Sequence, residues 1–93
     1  MTKKTNGSAD TLMEFPCAIA IKAMGRNDGS FEELVTLLVK QHVGELPADA
    51  VRTRASTNGS YLAVTVQLQA QSRAQLDALY AALSEHPKVL MAL

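Results

Sequence analysis

One cysteine, three prolines, four aromatic residues and no tryptophan are all that 93 residues supply of the rarer types, and lysine plus arginine balance aspartate plus glutamate at nine each. Each scarcity excludes something. A lone Cys17 rules out an intramolecular disulfide framework and any multi-cysteine zinc site. A formal charge of zero gives the chain as a whole no long-range attraction for phosphate backbones or anionic lipid, which counts against generic nucleic-acid binding. No apolar run reaches the length of a membrane span, and MTKKTNGSAD has lysines with no apolar segment behind them, so it is not a secretory signal. The plain expectation is a soluble protein of the reducing cytoplasm, away from membranes.

What is present is a hydrophobic fraction of 47% with 19% charged residues, enough for one packed domain. A core of on the order of fifteen large side chains, each contributing roughly 1.5–3 kcal/mol when buried, stabilises such a domain. It does not also enclose a deep active site, so function is expected on a surface, at an interface or in a loop. Residues 1–11 are rich in Thr, Lys, Asn, Gly and Ser and are expected to form a disordered leader. Residues 12–93 form the single expected domain.

Leu12 to Gly25, LMEFPCAIAIKAMG, is the segment around which the rest is organised. Pro16 cannot donate to a ladder and belongs at the mouth of a strand. Cys17, Ile19, Ile21 and Ala23 alternate with Ala18, Ala20, Lys22 and Met24, and both rows are largely apolar, as in an interior strand. Gly25 to Gly29 has turn chemistry. Ser30 with Glu33 forms a capping box ahead of Phe31, Leu34, Val35 and Leu38 at helical spacing, which predicts a helix over Phe31–Val43 stopped by Gly44. Val51 to Ser56 has β character with Arg52 and Arg54 on one face. Asn58-Gly59 predicts a two-residue type I′ hairpin. Tyr61 to Gln69 alternates, with Leu62, Val64, Val66 and Leu68 toward a core. Ser72 with Gln75 is a second capping box, Leu76, Leu79, Tyr80 and Leu83 form a second helical stripe, and Lys88 to Leu93 forms a last strand after His86-Pro87.

The order β-α-β-β-α-β, closed by two right-handed crossovers, predicts an α+β ferredoxin-like sandwich. Its four-stranded antiparallel sheet has order 4-1-3-2, with both helices on one face. The other face then collects Ala18, Ala20, Lys22, Arg52, Arg54, Tyr61, Ala63, Thr65, Leu90 and Ala92. An apolar middle rimmed by Lys22, Arg52 and Arg54 has the anatomy of a partner surface, and Tyr61 lies among them. Edge pairing through the second strand is another route to a dimer.

Three segments resemble the YbeD family of small bacterial proteins. They are Leu12–Gly25, with Glu14-Phe15-Pro16, Lys22 and Met24-Gly25; Ser56-Thr57-Asn58-Gly59-Ser60-Tyr61; and the ending Val89-Leu90-Met91-Ala92-Leu93. The resemblance covers essentially everything after the leader. It implies a fold similar to the ACT regulatory domain, a ferredoxin-like module that pairs with itself and binds small effectors such as amino acids. It also implies, through gene neighbourhood, an association with lipoate metabolism.

The expected function is therefore a non-catalytic, ACT-like regulatory or adaptor domain, homodimeric, that takes a small effector or a protein partner. The alternative is a nucleic-acid-binding module using the open sheet face, which the charge balance and the single Tyr61 disfavour. An accessory to an enzyme of acyl metabolism is a third reading, by analogy alone. An effector would sit at the turn before the first helix, where Gly25, Arg26 and Ser30 flank a helix N-terminus, although Glu32 and Glu33 already complement its dipole. Cys17 reads as an inert buried thiol, and His42 and His86 lie too far apart to share a metal. No catalytic constellation, phosphate loop or cofactor motif stands out, so neither a catalytic residue nor a cofactor is assigned.

Overall fold

The computed structural model describes residues 14–93; the expected leader at 1–11 lies outside the described residues. Strand β1 spans Cys17–Arg26, helix α1 Phe31–Val43, strand β2 Val51–Ala55, strand β3 Tyr61–Ala70, helix α2 Arg73–Glu85 and strand β4 Met91–Ala92. The strands form one sheet in the order β2-β3-β1-β4, with all three pairings antiparallel. Read from the other edge this is 4-1-3-2, the expected ferredoxin-like topology.

The central pair is β1 with β3, in register from Cys17 opposite Ala70 to Arg26 opposite Tyr61. The pleat places Ile19 beside Leu68, Ile21 beside Val66 and Ala23 beside Val64 on the helix side. Val64, Val66, Ile21 and Ala23 are almost completely buried there. Helix α1 presses Phe31, Val35 and Val39 onto this face, and α2 presses Leu76, Leu79 and Leu83. Leu34, Leu38 and Tyr80 close the flanks, half-buried. Phe15 packs against the same core ahead of a cis Phe15–Pro16 bond, with Pro16 immediately before β1.

Several local expectations change. Strand β1 runs two residues past Met24, so Gly25 belongs to the strand and not to a turn. It does so because its missing side chain makes room for Phe31: a Cβ on Gly25 would fall 2.5 Å from the Lys88 carbonyl oxygen and 2.7 Å from Phe31 Cζ. The first capping box does not form. Ser30 makes no side-chain cap; its N–H and its hydroxyl both donate to Asp28 Oδ1, at 2.9 and 3.1 Å. Asp28, a charged acceptor two residues earlier, holds the Ser30 hydroxyl and takes the Ser30 N–H that Glu33 would accept in a capping box.

The second box forms on one side. Ser72 Oγ accepts from the Gln75 N–H at 3.1 Å, while Gln75 Oε1 accepts from the N–H of Gln71 at 2.7 Å instead of Ser72. Gln75 Nε2 donates to the His42 carbonyl at 3.0 Å, tying the start of α2 to the end of α1. The hairpin is a four-residue loop and not a two-residue type I′ turn. The Gly59 N–H closes a turn on the Ser56 carbonyl at 2.8 Å, around Thr57 and Asn58, and Gly59 follows at φ +79°. Asn58 Oδ1 accepts from Ser60 N–H and Ser56 Oγ, which stabilises the longer loop.

The last strand is shorter than Lys88–Leu93. Met91 lies opposite Met24, yet the Leu90 N–H donates to the Met24 carbonyl at 2.8 Å. Two successive residues therefore serve one partner, which is a β-bulge and resets the side-chain phase.

Candidate functional site

The side of the sheet away from the helices is built in rows across the strands. Arg52, Thr65 and Lys22 form one row; Arg54, Ala63, Met24 and Met91 form the next; Tyr61 and Arg26 form the third. Toward the other end lie Thr65's neighbours Gln67 with Ala20 and Gln69 with Ala18. The structure thus brings together the four residues expected there, Lys22, Arg52, Arg54 and Tyr61. It adds Arg26, Met24 and Met91. Ala92 is corrected: the bulge turns it inward opposite Ala23, where it packs against the core, and Met91 takes its place outside. Leu90 is 60% exposed and Met91 51% exposed.

Four cations stand on the strands of this face, and none of the described strands carries an aspartate or glutamate. The acids lie elsewhere: Glu32 and Glu33 on α1, Asp77 and Glu85 on α2, and Glu14, Asp28, Glu45 and Asp49 in the connecting segments. A net charge of zero therefore conceals strands charged in one sign only, so overall neutrality does not by itself weigh against polyanions on this side of the molecule. Among the described residues, Lys22, Arg52 and Arg54 have no ion-pair partner. Arg26 lies with its guanidinium carbon 5.7 Å from the centroid of the Tyr61 ring, a cation–π contact that covers the single aromatic surface on offer here.

The β1–α1 corner is organised differently. Asp28 is its hub: besides Ser30 on Oδ1, it accepts from Lys88 Nζ on Oδ2 at 2.9 Å. The Lys88 hydrogen bond, then the Ser30 N–H and hydroxyl, hold the Asp28 carboxyl far below its ordinary pKa. Asn27 anchors the same corner to the hairpin, its N–H on the Ser60 carbonyl at 2.9 Å and its Nδ2 on the Gly59 carbonyl at 3.1 Å. The adjoining cleft, about 190 Å³, is lined by Arg26, Asp28, Pro87, Lys88 and Leu90. Of the three candidate ligand residues only Arg26 lines it. Gly25 is buried against Phe31, and Ser30 is bonded through both its N–H and its hydroxyl to Asp28, so neither Ser30 donor is free to meet an anion at this helix start.

The remaining concavities are shallow. Two flank the 55% exposed Leu37 on α1, of about 490 and 530 Å³. No three His, Cys, Asp or Glu side chains gather to hold a metal among the described residues. His42 Nδ1 lies 2.9 Å from the Leu38 carbonyl, and His86 Nδ1 accepts from the Lys88 N–H, so both rings are engaged locally. Cys17 is half-buried on the core side opposite Ala70. Among the described residues no helix is long and apolar enough to cross a membrane.

Sequence reading missed Asp28 and Lys88, which are sixty positions apart. The available signal was an aspartate two residues before a helix-starting serine.

Comparison with known proteins places the chain in a family. The model of the family described as "Protein of unknown function (DUF493)" matches residues 10–93. The UPF0250 protein NE1487 of Nitrosomonas europaea is 42% identical over 84 residues, 90% of this chain and 97% of that one. A UPF0250 protein of Neisseria gonorrhoeae strain NCCP11945 is 38% identical over 93 residues, spanning both chains completely. Among solved structures, the solution structure of protein HP0495 from H. pylori superposes with a TM-score of 0.70 at 12% identity, covering 100% of this chain and 94% of that one. That likeness is one of fold, and it agrees with the four-stranded sheet and paired helices described above. The chain belongs to the DUF493 family of UPF0250 proteins, the small bacterial family of YbeD type that its strand and hairpin motifs resemble.

Proposed function

We propose that this protein is a non-catalytic binding domain, of regulatory or adaptor type, whose working surface is the open face of the sheet and whose ligand is a protein. The observation that carries the reading is the set of cations Lys22, Arg26, Arg52 and Arg54 on strands that carry no acid, placed around Ala63, Met24 and Met91. An apolar middle inside a charged rim is how non-obligate protein interfaces are composed, and methionines adapt to irregular partners. An effector of the ACT kind has less support at the β1–α1 corner, because Asp28 already fills it. The association with lipoate metabolism that the resemblance implies is compatible with an adaptor and does not identify its partner.

The second reading, a nucleic-acid-binding module, draws on the same four cations. Against it, base stacking needs a free aromatic face, and Arg26 lies over the ring of Tyr61. A photo-crosslinking amino acid placed at Ala20 or Ala63, with Thr36 on α1 as control, separates these readings in the native cell. Adducts to protein from the two sheet positions, insensitive to nuclease, are expected. Adducts lost to nuclease would favour the second reading. Adducts from Thr36 alone would move the working surface to the helices.

A further inference from the structure

The outer edge of β2 has a geometry that selects its neighbour. The Gln67 N–H donates to the Ala50 carbonyl and the Ser56 N–H to the Tyr61 carbonyl, both at 2.9 Å. These two bonds fix the phase of the ladder: Ala50, Arg52, Arg54 and Ser56 turn their main-chain groups toward β3. Val51, Thr53 and Ala55 therefore turn theirs outward, and among the described strands nothing pairs with that side. Five residues of strand backbone stand ready to receive another strand.

The flanking side chains decide which strand fits. Arg52 and Arg54 stand on the open face at the positions where a newly added strand would bring opposed side chains closest, about 4.5 Å between Cα atoms. Neither arginine is committed to an ion pair among the described residues. A second copy is a poor occupant. An antiparallel pairing centred on Thr53 sets Arg52 against Arg54 of the copy and Arg54 against its Arg52. Centring on Arg52 or Arg54 sets that arginine against itself. Every antiparallel register that pairs three residues or more places guanidinium opposite guanidinium, and like charges directly opposed are destabilising. The same two positions are complementary to carboxylates spaced two residues apart.

We propose that β2 accepts, as a fifth strand, an extended acidic segment of a partner protein with Asp or Glu at alternate positions facing Arg52 and Arg54. Apolar residues between those acids lie on the helix side, beside half-buried Val51 and exposed Thr53 and Ala55. This rests on the reading of the sheet side as the working surface and adds where on it the partner begins and what chemistry it carries.

The test uses the full chain, labelled for amide NMR, and an end-blocked synthetic peptide alternating valine and glutamate. Expected are hydrogen-exchange protection confined to the amides of Val51, Thr53 and Ala55 and shifts at Arg52 and Arg54. The double variant Arg52→Glu with Arg54→Glu should lose about tenfold in affinity and gain binding to the matching valine–lysine peptide, since both cross-strand pairs are reversed. Unchanged protection of β1 and β3 amides in the variant shows that it is folded. Equal binding by a peptide with methylated backbone nitrogens would overturn strand addition. So would shifts centred on Lys22 and Arg26 without protection of β2, which leaves the open-face reading standing. Protection of Val51, Thr53 and Ala55 that rises with protein concentration alone would overturn it in favour of a second copy. Displacement of the peptide by a single-stranded RNA oligonucleotide that binds the same arginines more tightly would overturn it in favour of nucleic acid. Crosslinks absent from Ala20 and Ala63, with the peptide still bound at β2, would instead sink the broader reading.

Discussion

Gly25 and the ring of Phe31 are in direct packing contact, with the Lys88 carbonyl closing the same space from the other side. This joins β1, the first turn of α1 and the segment before β4 through one missing methyl group. Gly25→Ala is expected to destabilise the fold by about 1–3 kcal/mol through overpacking, since neither backbone nor a buried ring yields readily. Urea denaturation should show a lower midpoint at unchanged slope.

The two helix-starting serines should answer substitution differently. Ser72→Ala removes a cap bond to Gln75 and is expected to cost about 1 kcal/mol. Ser30→Ala removes only a hydroxyl donated to Asp28 on the surface and should cost about half of that or less. Asp28→Ala should exceed Ser30→Ala, because it strips both the Ser30 N–H and Lys88 of their acceptor. Thermal melts of the three variants at neutral pH rank them.

Asp28 also predicts the acid behaviour. Its folded-state pKa is depressed, chiefly by Lys88 and then by Ser30, so the unfolded chain takes up that proton first as pH falls. The stabilisation is complete above about pH 4 and is lost progressively below it. Asp28→Asn should flatten that part of the Tm-against-pH curve. Added salt should weaken the effect, because the pair is exposed.

On the alkaline side the group to watch is Tyr80. Its hydroxyl donates to the Leu93 carbonyl at 3.0 Å, and partial burial raises its pKa. The unfolded chain therefore ionises first, and stability falls as pH rises beyond about 10. Tyr80→Phe should remove that decline, and a phenolate absorbance titration of the folded protein, with that variant subtracted, should find Tyr80 ionising above its ordinary range.

Much of this architecture was legible because period, turn and topology agreed. Ile19, Ile21, Leu62, Val64 and Val66 alternate strictly, and helix α1 spans Phe31–Val43 as its stripe requires. What escaped was decided by competition between neighbours or by contacts distant in sequence. Ser30 has the right type and spacing to cap, but Asp28 is a charged acceptor two residues away. Ala92 fits an outward row until the Leu90–Met91 bulge shifts the phase, and a bulge leaves no trace in an apolar run. The candidate site was only half legible for a related reason. Arg52, Arg54 and Lys22 could be placed by alternation, but which acids come near the sheet, such as Asp28 in one cleft with Arg26, depends on where the loops carry them.

That separation of charge gives the molecule a direction. The helices bear Glu32, Glu33, Asp77 and Glu85 against Lys40 and Arg73, and the strands bear four positive groups and no acid. The result is a separation of charge between the two layers, in a chain whose formal charges sum to zero. The acidic segment proposed for β2 would be met strands first, because layers of unlike charge orient a neutral body before they attract it.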